Sequence, residues 1–323
     1  MTQTIRPGAF LACGMLALTF IKPVYAQQPA EGASPAKKAD PNVVEDFPSP
    51  AKDFAQPEMV QVSNLASRLL QYAETVDCKK HGCEILVTDF TTPDGSTSPY
   101  GTKLADELAA EIARQRERIH VTDRSLLKGP LDKLRQDRVP ASIQHSVPVV
   151  RWLGQELGAS VLVIGEIDRS RADFAEVSAR LQNVKDRRLT SPSVDVALPL
   201  PASTDELSPT DPLAPLPQLV DKPNGERLYH AGMKGLGMPK CTFMPNPPYT
   251  DEARKFYLSG AILVEGIIEI DGSVKPLRII QGLPFGLNDT SFRTLQRFKC
   301  SPATLDGKPV RSLVPFEITF RLY

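Results

Sequence analysis

The chain has 323 residues, of which 41% are hydrophobic and 24% are charged. This length and composition suit two modest globular units better than one large domain, and the 30 prolines indicate extensive linker. Lysine and arginine total 38, as do aspartate and glutamate, so the formal net charge is zero. No overall field would attract such a chain to nucleic acid or to an anionic membrane surface, which argues against nucleic-acid binding.

The N-terminus has the pattern of a signal peptide. A start containing Arg6 precedes an apolar run over residues 9–21, and a break at Lys22–Pro23 is followed by Val24–Tyr25–Ala26. We therefore predict a signal peptide over residues 1–26, cleaved after Ala26, and export to the periplasm. The alternative is an uncleaved inner-membrane anchor, but a bilayer span needs about 20 apolar residues and this run is shorter.

Residues 27–57 are rich in alanine, proline, lysine and aspartate and have little apolar periodicity. Such a segment cannot bury enough apolar surface to fold alone, so we predict a disordered tether.

Residues 58–189 alternate between helical and strand patterns. Apolar residues at helical spacing from Val60 predict a helix, 84–90 a buried strand, 100–115 a helix with one apolar face, and 119–122 a short strand. Further helices are expected over 125–136 and 149–157, and then a hairpin over 161–167 and 174–181. This order predicts a three-layer α/β domain.

Residues 80–185 resemble the N-terminal domain type of TolB, FlgO-like and CsgG-like envelope proteins. The resemblance is carried by the segments Ile85–Phe90, Leu104–Leu108, Val121–Arg124 and Leu157–Gly165. It implies a fold, and an envelope assembly or scaffold role as one possible function.

Eight prolines between residues 190 and 223 predict an extended, proline-rich linker over residues 190–237, ending in a glycine-containing hinge at 231–237.

Residues 238–323 have the pattern of a small domain in the order α-β-β-α-β. Thr250 is a helix N-cap, and strands are expected over 261–270 and 274–280 around the hairpin turn Asp271–Gly272. A second helix fits 289–298, and strict alternation predicts a final half-covered strand over 313–323. The chain is therefore predicted to be of mixed α+β and α/β class, with an antiparallel sheet in this last domain.

This module resembles the TonB C-terminal domain in Pro248–Tyr249, Gly260, Asp271–Gly272, Gly307–Val310 and Phe320–Tyr323. The resemblance implies a small sheet that binds an outer-membrane transporter when an extended segment of the transporter adds a strand. The candidate edge consists of Pro315, Phe316, Glu317, Ile318, Thr319, Phe320 and Arg321. Alternatively, this strand simply completes the fold or forms a homodimer.

The sequence departs from the family's pattern at several positions. Asn288 and Phe292 stand where an acidic residue and an alanine are usual, and Phe298 and Cys300 lie near the usual tryptophan and phenylalanine positions. An energy transducer of this family also has an uncleaved membrane helix with a functional histidine. Residues 9–21 contain no histidine, so coupling to the ExbB and ExbD motor is not expected.

Four cysteines remain after cleavage: Cys78, Cys83, Cys241 and Cys300. In an oxidising compartment an even number indicates disulfides, and three connectivities are possible. The domain layout favours Cys78 with Cys83 and Cys241 with Cys300. A zinc site is the alternative, but the first pair with His81 has no second ligand pair nearby.

No sequence motif for catalysis is present. The four histidines are scattered at positions 81, 120, 145 and 230, and Asp106, Glu107 and Glu111 are expected to be a solvated stripe on a helix. We predict a non-enzymatic protein with no cofactor and no metal, which binds an outer-membrane transporter or another envelope protein.

Overall fold

The computed structural model describes residues 5–7 and 58–322, except 77, 79–81, 116–118, 170, 172–173, 202, 211–212, 214 and 217–226. The predicted tether and the cleavage site at Ala26 lie outside the described residues, as does nearly all of the predicted signal peptide. In the part of the chain that is described, no helix is both long enough and apolar enough to span a bilayer.

The first domain has a five-stranded mixed sheet. After the short N-terminal strand β1 Ile5–Pro7, the elements are α1 Glu58–Val76, β2 Cys83–Val87, α2 Pro99–Gln115, β3 Ile119–Val121, α3 Lys128–Gln136, α4 Ala141–Gln144, α5 Val147–Glu156, β4 Val161–Asp168, β5 Phe174–Asn183 and β6 Val194–Pro199. The strand order is β3-β2-β4-β5-β6, in which β3, β2 and β4 are parallel and β4, β5 and β6 form antiparallel hairpins.

Alternation along the central strand β2 explains the three layers. Ile85 and Val87 point into the core beneath α1 and α2, and Leu86 points into the core beneath α3 and α5. All three side chains are completely buried. The helices therefore cover both faces of the sheet, and the predicted three-layer arrangement is confirmed.

The helix predicted from Ser125 is interrupted. Arg124–Leu127 forms a 3-10 turn, in which the Asp123 carboxylate accepts a hydrogen bond from the Ser125 amide at 2.9 Å, and α3 begins only at Lys128. An aspartate cap satisfies a free amide of the first turn. The turn places Arg124 beside the end of β2.

The prediction of a linker from residue 190 is wrong at its N-terminal end. Strand β6 completes the sheet of the first domain, and the 3-10 turn Thr204–Leu207 brings Leu207 onto the same core. The predicted hinge is also structured: short strands β7 Tyr229–His230 and β8 Leu236–Gly237 pair with strands of the C-terminal domain.

The C-terminal domain confirms the predicted order α-β-β-α-β in its main elements. These are α6 Asp251–Lys255, β10 Gly260–Ile268, β11 Val274–Gln281, α7 Leu287–Leu295 and β15 Ser312–Phe320, together with four short strands β9 Lys240–Phe243, β12 Lys299–Ser301, β13 Ala303–Leu305 and β14 Lys308–Val310.

Strand β10 is the centre of the antiparallel sheet, with β11 on one side and β15 on the other. The hairpin turn between β10 and β11 contains Gly272 with φ 80°, a conformation that glycine adopts without steric cost. A Cβ at this position would also lie 2.0 Å from the carbonyl oxygen of Cys300. The turn therefore requires glycine for two independent reasons.

Candidate partner-binding edge

Strand β15 presents one apolar face to the core of the C-terminal domain. Phe316, Ile318 and Phe320 are buried on this face. The Phe320 ring packs edge-on against Tyr249 with 5.1 Å between ring centroids, and Phe316 packs in the same way against Phe298 at 6.0 Å. Edge-to-face packing is favourable for aromatic rings, and it fixes the strand on the segments that precede α6 and follow α7.

The contact with β7 shows which backbone groups of β15 point away from β10. The amide of Tyr229 donates to the carbonyl of Arg311 at 3.2 Å, and the amide of Ala231 donates to Leu313 at 3.0 Å. Arg311 and Leu313 therefore direct their backbone groups away from β10. Because this direction alternates along an extended strand, Pro315, Glu317, Thr319 and Arg321 do the same.

Strand β7 covers only the beginning of β15, where it pairs with Ser312 and Leu313. Pro315 follows with no N–H to donate, and proline is tolerated here because its nitrogen faces the outer side of the ladder. Beyond it, Glu317, Thr319 and Arg321 each carry an amide and a carbonyl on the outer side. These three residues define the strand-accepting edge. The sequence contained no signal for β7, which lies at the end of a proline-rich stretch.

A short antiparallel strand pairs with this edge in the structure. This strand, β1 Ile5–Pro7, places Ile5 opposite Ile318 and Arg6 opposite Glu317. It belongs to the predicted signal peptide, so the mature chain expected after cleavage lacks it. The pairing gives the register in which an extended segment fits the edge.

The other face of the sheet carries ion pairs. Arg311 donates to both carboxylate oxygens of Glu269, at 2.7 and 3.1 Å, and the Lys275 ammonium lies 3.0 Å from the same carboxylate. Arg278 pairs with Glu265 at 2.6 Å. Charged groups already paired on this face make it a poor surface for an apolar partner, so the edge is the more suitable contact.

Glu269 is predicted to make the stability of the C-terminal domain depend on pH in the acidic range. Burial raises the pKa of its carboxyl, but the hydrogen bonds and charges of Arg311 and Lys275 outweigh burial, so the pKa lies below its ordinary value. A folded-state pKa below the unfolded value stabilises the fold above the unfolded pKa, and this contribution is lost as the pH falls through the folded pKa. We expect Glu269→Gln to flatten the acid side of the stability profile, measured by urea unfolding between roughly pH 6 and pH 3.

Arg311→Met provides the control, because it removes the bidentate partner while keeping the carboxylate. It should weaken the same pH dependence by raising the folded-state pKa of Glu269. An unchanged slope in both variants would contradict the assignment.

The structure brings both predicted cysteine pairs together. Cys78 and Cys83 are bonded with Cα atoms 5.0 Å apart, which joins the chain after α1 to the start of β2. Cys241 and Cys300 are bonded across the facing strands β9 and β12. Among the described residues, no cluster of three or more cysteine, histidine or acidic residues could hold a metal. His81 lies outside them.

The acidic stripe on α2 is only partly a row of solvated charges. Asp106 pairs with Arg124 at 2.5 Å, Glu107 lies 3.6 Å from Lys103, and Glu111 accepts a hydrogen bond from Ser63 at 2.9 Å. Asp106 is the most exposed of the three, and Glu111 is mostly covered. The described histidines, His120, His145 and His230, lie in three separate segments. No sequence pattern indicated the contacts of Arg124, whose side chain is largely covered at the end of β2.

The fold of the C-terminal module is that of a small antiparallel sheet backed by helices. Residues 245–322 match the family described as Gram-negative bacterial TonB protein C-terminal. That family is a protein-interaction domain of the bacterial envelope, as expected from the sequence. The match does not extend to residues 80–185, whose resemblance to TolB, FlgO-like and CsgG-like proteins stays a prediction.

Three solved structures are similar to parts of the chain. The LpoB C-terminal domain from Salmonella enterica is 15% identical, with 44% of this chain and 97% of that chain covered and a TM-score of 0.34. Lipoprotein GNA1162 from Neisseria meningitidis is 14% identical, with coverages of 37% and 82% and a TM-score of 0.29. The TonB C-terminal domain from Pseudomonas aeruginosa is 18% identical, with coverages of 30% and 96% and a TM-score of 0.23. No curated protein matches the chain in sequence.

Proposed function

We propose that the chain is a non-enzymatic periplasmic adaptor that binds an extended segment of a partner protein by strand addition to β15. The partner class is a TonB-dependent outer-membrane transporter. The observation that carries the proposal is the outer side of β15, where Glu317, Thr319 and Arg321 direct amides and carbonyls away from β10. Main-chain hydrogen bonds supply affinity in this mode, and alternate side chains supply selection.

The two faces of an added strand would meet different surroundings. On the core face, Phe316, Ile318 and Phe320 are buried and extend the apolar surface towards the edge. On the opposite face, Glu317 and Arg321 are exposed. A partner strand with alternating apolar and polar residues satisfies both faces, which is the usual pattern of a strand on a half-covered sheet.

Proline at position 319 tests this proposal. Thr319→Pro removes an amide donor on the outer side and places a ring where the partner backbone would lie, and it removes no hydrogen bond to β10. We expect peptides carrying the TonB box of the host's outer-membrane transporters to bind the mature chain, and this variant to weaken them about tenfold or more. Calorimetry on residues 27–323 measures the effect.

Thr319→Val is the matched control, because it keeps the amide and the approximate shape of the side chain. It should bind the peptides as the unmodified chain does. Equal affinity of the proline and valine variants would overturn strand addition at this edge. If the unmodified chain is instead a dimer that Thr319→Pro converts to a monomer, seen by sedimentation, the edge serves self-association and the transporter proposal is wrong.

A further inference from the structure

The two domains meet through hydrogen bonds to the backbone at the end of β11. The turn after α3 supplies Asp137 and Arg138, and the amide of Gly282 donates to the Arg138 carbonyl at 2.8 Å. In return the Arg138 Nε donates to the carbonyl of Ile280 at 2.8 Å. A Cβ at Gly282 would lie 2.2 Å from the Asp137 carbonyl oxygen. The approach of the two backbones therefore requires glycine at this position.

Asn288 strengthens this contact from the start of α7. Its Nδ2 donates to the Asp137 carbonyl at 3.0 Å, and its Oδ1 accepts from the Leu283 amide at 2.9 Å. An acidic residue could accept from Leu283 but could not donate to Asp137 when ionised. Asparagine can therefore make both hydrogen bonds at once, one within the C-terminal domain and one to the first domain.

Aromatic side chains fill the space beside the turn. Trp152 of α5 packs edge-on against Phe285 with 5.5 Å between ring centroids, and Phe285 in turn lies 5.5 Å from Phe256. The apolar core beneath α3 and α5 is continuous with the core of the C-terminal domain. Trp152 is the single tryptophan of the chain and therefore reports on this contact.

A third contact comes from the turn between β5 and β6. The Arg187 guanidinium lies over the Tyr257 ring, 3.9 Å from its centroid. Arg151 fixes the backbone of this turn. Its Nε donates to the Val184 carbonyl at 2.9 Å, and its Nη2 donates to the Lys185 carbonyl at 2.8 Å. Because Arg151 is buried, these bonds position the turn that presents Arg187 to the ring.

Backbone strain is concentrated at this interface. Among the described residues, four that are not glycine have positive φ, and three of them lie here: Arg138 at 57°, Tyr257 at 59° and Phe285 at 65°. Large side chains rarely adopt this conformation, and it persists where the surrounding structure holds it. Arg138 and Tyr257 are the residues at which the chain leaves α3 and α6, and the amides that follow them bond back to Leu134 and Ala253. The two domains therefore meet at the capped ends of these helices.

We infer that the first domain is a fixed intramolecular partner of the C-terminal domain, docked at the end of β11 on the side of the sheet opposite the strand-accepting edge. The two domains then move as one body, which holds the β15 edge in a set orientation relative to the first domain. An incoming strand reaches its edge without displacing the first domain. This inference concerns a different surface from the proposed function and can fail independently of it.

Gly282→Ala in the mature chain, residues 27–323, tests the docking. The added Cβ meets the Asp137 carbonyl, so we expect a red-shifted Trp152 emission and stronger quenching by acrylamide. The amide at position 282 should exchange with solvent about tenfold faster or more. Gly129→Ala, in α3, is the control because no atom lies within 4 Å of its Cβ, and it should resemble the unmodified chain. The Gly282→Ala chain should still bind the transporter peptides, because the strand-accepting edge lies on the other side of the sheet.

A second pair of variants covers the case in which Gly282→Ala does not fold. Arg187→Ala removes the contact with Tyr257, whereas Arg188→Ala removes an exposed neighbour on the same turn. Only the first should raise the quenching of Trp152. The docking is overturned if Trp152 in the unmodified chain is already quenched as fully as in Gly282→Ala, or if both arginine variants behave alike.

Discussion

Replacing Cys241 and Cys300 with serine is expected to lower the free energy of unfolding by about 4 kcal/mol. The bond closes a loop with a sequence separation of 59, and cross-linking residues so far apart removes much of the conformational freedom of the unfolded chain. It also joins β9 to β12, which form a short two-stranded sheet. Urea unfolding of the oxidised protein, followed by circular dichroism, measures the difference.

The other disulfide of the chain is the natural comparison. Cys78 and Cys83 are separated by only 5 positions, so the same model gives about 2 kcal/mol for their replacement with serine. The ratio of the two losses is the discriminating quantity. If removing the short loop costs as much as removing the long one, loop entropy is not the main contribution of these bonds.

The strands of the C-terminal domain were predictable because each carries a local signal. Alternation along residues 313–323 predicted a half-covered strand, and the structure buries Phe316, Ile318 and Phe320 while leaving Glu317 exposed. Asp271–Gly272 predicted the hairpin turn, and Gly272 has the positive φ that such a turn needs. A period of two and a turn that requires glycine depend only on neighbouring residues.

Strand β6 was missed because proline density outweighed a short periodic signal. Val194, Val196 and Leu198 alternate and are buried, which is the pattern of a half-covered strand. The flanking prolines lie before the strand or at its last position, Pro199, where they remove no central hydrogen bond. The prediction of a linker was based on the composition of residues 190–237 as a whole, and the six residues of β6 were therefore overlooked.

The docking of the two domains could not have been predicted from the sequence. Arg138, Tyr257 and Phe285 have positive φ without being glycine, asparagine or aspartate, so no residue preference marks them. The sequence showed that Asn288 departs from the family's pattern. The hydrogen bond that explains it is to the Asp137 carbonyl, 151 positions away. Contacts at such a separation depend on the assembled fold and carry no local pattern.

Removing the buried arginine of the first domain is expected to have the second large effect. Arg124 is only 9% exposed, and its Nη2 donates to the Asp89 carboxylate at 2.6 Å. Its Nη1 donates to the Val87 carbonyl at the end of β2. Arg124→Met leaves this carbonyl and a largely covered carboxylate without their donor, which typically costs about 3 kcal/mol or more. Urea unfolding at neutral pH measures the loss.

Asp106 supplies the control for this prediction because it contacts the same guanidinium from the surface. The Arg124 Nε lies 2.5 Å from its carboxylate, but the Asp106 side chain is 61% exposed. Water solvates the charge in both the folded and the unfolded chain, so Asp106→Asn should change stability by less than about 1 kcal/mol. Equal losses in the two variants would mean that the exposed pair, and not the buried contacts at the end of β2, gives Arg124 its importance.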